Sequence, residues 1–220
     1  MTAGNNTMER QIGEWVLQIR QPDGQGPFRL ILLLHGWTGD EHSMLIFSSR
    51  LPKNALLVSP RALYPAPLSG YSWYPDRSKI WPWVDDFRPA AAAILDLLVP
   101  ENFPQADVDR IHLVGFSQGA ALTYTFAMQH PERVVSLAGL SGFVPDGASA
   151  LVSARPLTGK RIFVSHGTED ELVPVERARE GLELLERAGG DVVYCEDEVG
   201  HKLSATCFQS LQEFFKTGFP

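Results

Sequence analysis

The chain has 220 residues, 44% hydrophobic and 20% charged, the balance of a soluble globular protein whose core needs no metal or disulfide staple. Its 26 acidic and 19 basic residues leave a formal charge of -7, which excludes a surface built to neutralise nucleic-acid phosphates or anionic lipid. No apolar run approaches the roughly 20 residues that span a bilayer, and the polar start MTAGNNTMER lacks a signal-peptide pattern, so a cytoplasmic protein without stable membrane insertion is expected. Only Cys195 and Cys207 occur; they sit outside any metal-ligand spacing and read as two reduced core thiols.

Residues 1–11 read as a flexible N-terminus to one domain covering 1–220. Residues 13–20 (GEWVLQIR) alternate as an edge strand does, and PDGQG at 22–26 is a turn. The apolar run 28–34 (FRLILLL) is the first strand covered on both faces. It stops at His35-Gly36, and Asp40 then offers an N-cap to a helix over 41–50. A third strand covers 55–59. From 60 to 82 the pattern gives way to a loop rich in proline and aromatic residues, after which 84–99, with its run of alanines, is helical. Strand 110–114, helix 118–130 ended by Pro131, and strand 134–140 come next. Strand 161–165, a helix over 174–188 opening on Pro174, strand 191–195 and helix 201–216 complete the alternation. This order predicts an α/β fold: one open, mostly parallel sheet of about seven strands, helices on both faces, and chemistry at the carboxyl ends of the strands.

Gly115-Phe116-Ser117-Gln118-Gly119 is a G-x-S-x-G sequence directly between a strand and a helix, the setting in which a serine is lifted clear of the sheet on a tight turn. The two glycines let neighbouring backbone come close without a Cβ clash. A serine hydroxyl is a weak nucleophile near neutral pH, so it needs a histidine to take its proton and an acid to orient that histidine. In this setting the chain order is Ser, then Asp or Glu, then His. Of the six histidines, His166 closes strand 161–165, where the acid belongs, and His201 follows the last strand, where the base belongs. Asp170, in the loop HGTEDELVP, is the expected acid, with Glu169 its nearest competitor. Two backbone N–H donors must hold the oxyanion. One is that of Gln118, after the nucleophile; the other comes from the loop His35-Gly36-Trp37-Thr38-Gly39 and is assigned to Trp37, with His35 helping to shape the loop.

Asp40, Glu41 and His42 are consecutive and so do not face one metal, and no H-E-x-x-H, Walker A or dinucleotide-binding glycine sequence occurs. Neither metal nor cofactor is expected. A loop as long as 60–82 inside a compact domain is usually functional. Its Tyr64, Tyr71, Trp73, Tyr74 and Trp81 either pack it down or form an apolar slot for an acyl or aromatic ester group.

With Ser117, Asp170 and His201 assigned, the chain resembles the phospholipase/carboxylesterase branch of the α/β-hydrolase superfamily, the group that includes acyl-protein thioesterases. LLLHGWTGDE from Leu32, SWYPD from Ser72, GFSQGAAL from Gly115, HGTEDELVP from His166 and the GH at Gly200 carry the resemblance, in family order across most of the chain. It implies an α/β-hydrolase fold and a Ser-Asp-His carboxylesterase, free of metal and cofactor, that acts on small-molecule esters or thioesters. Trp73 and Tyr74 match an aromatic pair that lies beside the acyl pocket in the family. Many members are homodimers, so a homodimer is among the implied arrangements. Members often carry a glycine right after the residue matching Trp37, where this chain has Thr38. Lysophospholipase-like or dienelactone hydrolase-like specificity, and a non-catalytic receptor for small molecules on the same fold, are the alternatives. The length leaves little room for a separate cap domain, so the 60–82 loop is expected to do any lid's work. The charge of -7 favours neutral or zwitterionic esters over strongly anionic ones.

Overall fold

The computed structural model describes residues 7–75 and 80–218. Its strands are β1 (Thr7–Ile12), β2 (Trp15–Arg20), β3 (Phe28–Leu34), β4 (Ala55–Pro60), β5 (Tyr64–Pro65), β6 (Tyr71–Ser72), β7 (Ala106–Phe116), β8 (Val134–Leu140), β9 (Arg161–Gly167) and β10 (Asp191–Asp197). Four α-helices join them: α1 (Arg88–Leu97), α2 (Gln118–Gln129), α3 (Val175–Arg187) and α4 (Ala205–Gly218). The main sheet has eight strands in the order β1-β2-β4-β3-β7-β8-β9-β10, and β5 pairs with β6 alone. Only the β1–β2 and β2–β4 pairings in that sheet are antiparallel. Every pairing from β4 to β10 is parallel.

The continuous apolar strands follow from burial on both faces. Along β3, Leu30, Leu32 and Leu34 enter the apolar cluster that α1 and α2 cover, while Ile31 and Leu33 enter a second cluster shared with α4 and with residues 43–50. Helix α2 is buried from Gln118 to Met128, which explains why its apolar residues show no single face.

Four expectations are corrected. Residues 7–11, read as part of a flexible N-terminus, belong to β1, which pairs with β2 from Thr7↔Arg20 to Ile12↔Trp15. Its side chains stay mostly exposed, so backbone hydrogen bonds rather than an apolar pattern hold it, and residues 1–6 lie outside the described residues. The helix expected over 41–50 is a run of 3-10 turns at Ser43–Arg50. Asp40 Oδ1 still accepts the N–H groups of His42 and Ser43, each at 3.0 Å, as a cap does. The last helix begins at Ala205, which leaves His201 in a loop. Finally, Cys195 and Cys207 are joined as a disulfide with a Cα–Cα distance of 5.6 Å. The chain doubles back from β10 into α4 and brings the two together, a pairing set by tertiary structure rather than by any local cysteine spacing.

The 60–82 loop is anchored over its first half. Thr38 N–H donates to the Tyr71 carbonyl at 3.0 Å and Tyr71 N–H to the Gly39 carbonyl at 2.9 Å, which ties β6 to the loop after β3. Gly70 has φ +67, and a Cβ there would collide with the Thr38 carbonyl, so only glycine permits this approach. No described helix is long and apolar enough to cross a membrane.

Candidate active site

Ser117 stands between the last residue of β7 and the first of α2, with φ 54 and ψ -116. A non-glycine residue at positive φ is strained and persists only where its surroundings hold it. Three contacts do so. Ser117 N–H donates to the Leu140 carbonyl at 2.8 Å at the end of β8. A Cβ on Gly115 would collide with the Gly119 carbonyl, and one on Gly119 with the Leu34 carbonyl. Both glycines of the motif are thus required by close packing of β7, α2 and β3. As the first residue of α2, Gln118 carries one of the N–H groups that a helix leaves without an internal partner.

Asp170 lies in the loop after β9 with its side chain fully buried. Its Oδ1 accepts the N–H groups of Leu172 and Val173, both at 2.9 Å. Its Oδ2 accepts from His201 Nδ1 at 2.7 Å. With Nδ1 committed to a carboxylate, Nε2 is the ring nitrogen that could exchange a proton with another group. The His201 side chain remains 17% exposed. Phe116, the neighbour of Ser117, packs its ring 5.0 Å from the His201 ring. Among the described residues no hydrogen bond joins Ser117 Oγ to His201. Glu169, the competing acid, is not the partner of His201: its backbone N–H donates to the Val199 carbonyl at 3.1 Å.

His166 is a contact the sequence reading left out. Buried directly below Asp170, it donates from Nε2 to the Val173 carbonyl at 2.8 Å, and the same nitrogen lies 3.4 Å from Asp170 Oδ2. Burial pushes its pKa below the ordinary histidine value, which keeps it neutral near pH 7. Its position four residues before Asp170 in HGTED was the available signal.

The loop after β3 is built from buried polar groups. His35 is fully buried and donates from Nδ1 to the Gly36 carbonyl at 2.7 Å, while its Nε2 accepts Ala62 N–H at 3.0 Å. That pattern defines a neutral ring, and burial lowers its pKa in the same sense. Thr38, in the place where a glycine is common, takes φ 66. The N–H groups of Thr38 and Gly39 are engaged by the Tyr71 and Gly36 carbonyls, and Trp37 projects from the loop 51% exposed.

Trp73 corrects an expectation. Assigned beside the substrate pocket, it is instead 0% exposed and offers no surface to a ligand. Its indole N–H donates to the His35 carbonyl at 2.8 Å, and its backbone N–H to Gln118 Oε1 at 2.9 Å. Gln118 Nε2 in turn donates to Ser72 Oγ at 3.0 Å, so the two segments expected to supply oxyanion donors are braced by one buried network. Tyr74 is partly buried, with its ring edge-on to Phe87 at 5.1 Å. Trp81 packs on Phe143 at 5.0 Å beneath the Arg177 guanidinium.

Among the described residues, Glu9, Glu41 and His42 bring ligand atoms within 4.8 Å of one another. Glu41 already holds Arg61 through two bonds at 2.7 and 2.8 Å, which lowers its pKa and accounts for its burial as an ion pair rather than a metal ligand.

A parallel sheet with a serine at a strand-to-helix turn, and an acid and a histidine at later strand ends, is the α/β-hydrolase fold. A Bacillus cereus carboxylesterase of known structure shares it, with a TM-score of 0.81 at 19% identity over 94% of this chain and 96% of that one. The chain belongs to the phospholipase/carboxylesterase family, whose pattern it matches over residues 18–218. It is 32% identical over 130 residues to carboxylesterase SOBER1 of Arabidopsis thaliana, across 56% of this chain and 54% of that protein. A probable inactive carboxylesterase of Oryza sativa subsp. japonica is 25% identical over 197 residues, across 80% of this chain and 78% of that protein. The chain spans about half the length of the first curated relatives it matches.

Proposed function

We propose that the protein is a carboxylesterase-type serine hydrolase that cleaves carboxylic esters, thioesters included, through an acyl-enzyme on Ser117. The observation that carries this reading is the 2.7 Å bond from His201 Nδ1 to the buried Asp170, in a chain that also holds Ser117 at positive φ between β7 and α2. His201 Nε2 takes the Ser117 proton as Oγ attacks the carbonyl, and Asp170 fixes the imidazole tautomer and stabilises the imidazolium. The oxyanion is held by the Gln118 and Trp37 N–H groups. The alcohol or thiol departs with a proton from His201, and water then attacks the acyl-enzyme by the same route and frees the acid. Catalytic hydrogen bonds between such a serine and histidine are often completed only with substrate in place.

The chemistry needs no metal or cofactor. A receptor would have no use for a buried carboxylate aligned on a histidine, which disfavours the non-catalytic alternative despite the relative in rice named a probable inactive carboxylesterase. Tyr74 is the member of the aromatic pair proposed to border the substrate. The substrate is a neutral or zwitterionic small molecule, in keeping with the charge of -7. Residues 1–220 form one domain, and a homodimer is the proposed assembly. The Cys195–Cys207 disulfide favours an oxidising compartment over the cytoplasm expected from the sequence.

Treatment with a fluorophosphonate probe is expected to label the wild type and to leave Ser117→Ala unlabelled, and the variant should show no turnover of a short p-nitrophenyl ester while keeping its circular dichroism. Turnover retained by a folded Ser117→Ala protein would overturn the assignment.

A further inference from the structure

Beside the loop after β3 lies an open groove of about 300 Å3. Its floor is Met44 and Phe47, both buried, and its walls are Trp37, Thr38, Ile46 and Phe116. None of its lining residues carries a charge. Trp37 and Ile46 are 51% and 68% exposed, so its rim presents apolar surface to solvent, an arrangement that usually marks a binding site when it adjoins a cleft.

The groove lies next to the proposed nucleophile. Phe116 immediately precedes Ser117, and a Cβ on Gly36, also in the lining, would stand 3.2 Å from Ser117 Cβ. The direction in which it runs identifies what it holds. Once the carbonyl oxygen faces the Gln118 and Trp37 N–H groups, the acyl carbon chain and the leaving group must diverge. The leaving atom receives its proton from His201, so the leaving group lies on the His201 side. That is the side on which this groove is built. The Phe116 ring is 5.0 Å from the His201 ring and 6.2 Å from that of Phe47, which stacks on Phe208 of α4 at 5.4 Å. On the far side of Gln118 the space is filled by the buried Trp73 and its hydrogen bonds.

We infer that this groove is the leaving-group subsite, and that it selects esters whose alcohol or thiol carries an uncharged apolar chain. The inference rests on the hydrolase reading above. At roughly 30 Å3 for a water-sized group, the groove holds on the order of ten heavy atoms, a short or medium chain. Partial burial of each added methylene is worth up to about threefold in kcat/KM. Ile46 is the residue to vary, because its exposed side chain forms a wall without supporting the core.

Hexyl acetate and ethyl hexanoate are isomers that place the same chain on opposite sides of the scissile bond. Their kcat/KM values are to be measured by product titration for the wild type, Ile46→Trp, which fills the groove, and Ile46→Ala, which removes the wall. The wild-type ratio of hexyl acetate to ethyl hexanoate is expected to fall about 10-fold in Ile46→Trp and about threefold in Ile46→Ala. A ratio that rises in Ile46→Trp assigns the groove to the acyl chain and overturns the inference, as does a ratio unchanged in both variants. A wild type that hydrolyses neither isomer, nor any shorter ester, overturns the hydrolase reading and this inference with it.

Discussion

Trp73 supports the loop after β3 from beneath. Its indole N–H reaches the His35 carbonyl and its backbone N–H fixes the Gln118 side chain, so one residue braces both segments proposed to hold the oxyanion. Phenylalanine in its place keeps most of the buried apolar volume and deletes only the indole donor. Trp73→Phe is therefore expected to lose about 1–2 kcal/mol of stability, the cost of an unsatisfied buried carbonyl, and up to about 10-fold in kcat through a loosened loop. Its preference across a series of acyl lengths should match that of the wild type. A change in that preference would return Trp73 to the substrate pocket. Ser117, Asp170 and His201 could be singled out as candidates because the motif and the strand ends restrict where such residues can stand. The role of Trp73 was not, since SWYPD reads alike whether its tryptophan faces a ligand or the core. His166 was hidden for a related reason: its neutral state comes from burial in the folded chain, which outweighs the opposite pull of Val173 and Asp170.

At the scale of elements, the connection from β10 to α4 carries His201, and the Cys195–Cys207 disulfide closes it with a sequence separation of 12. Cross-linking a loop of that length removes about 3 kcal/mol of denatured-state entropy in the chain-entropy account. Cys207→Ala should therefore lower the unfolding free energy by about 2–3 kcal/mol in urea titration. The oxidised wild type treated with dithiothreitol should fall to a similar midpoint, whereas the variant should not respond to reductant. A wild-type midpoint insensitive to dithiothreitol would count against the cross-link. The parallel strands β3, β4, β8 and β9 could be read from their apolar runs because both of their faces are covered. Strand β1 could not, because TMERQI buries almost nothing and its order comes from β2. Residues 43–50 have a helical apolar period, yet their 3-10 winding is set by packing against α4 and the sheet, which no local propensity encodes.

Over the whole molecule, three histidines are buried in neutral form: His35, His112 and His166. Burial lowers the pKa of each, and for His112, with Arg29 and Arg110 adding positive charge nearby, the value falls to about 4. The unfolded chain protonates a histidine near pH 6.5, so between that pH and 4 it binds a proton that native His112 refuses. The unfolded state thus holds more protons in this window, and stability rises with pH across it. It is greatest above pH 6.5 and falls as the solution is acidified toward 4, by up to about 3 kcal/mol for His112 alone. The Glu41 carboxylate, held below its ordinary range by Arg61, loses its contribution only at still lower pH, so it does not mask the histidine window. Unfolding free energies from urea titrations at pH 7.5, 6, 5 and 4.5 should therefore decline steadily for the wild type. His112→Gln keeps a polar side chain facing Ser136 but cannot take up the proton, and its decline over the same range should be shallower by about 2 kcal/mol, whatever its absolute stability. An unchanged slope in His112→Gln would show that His112 is protonated in the native protein near its ordinary pKa, and that the acid sensitivity of the fold arises elsewhere.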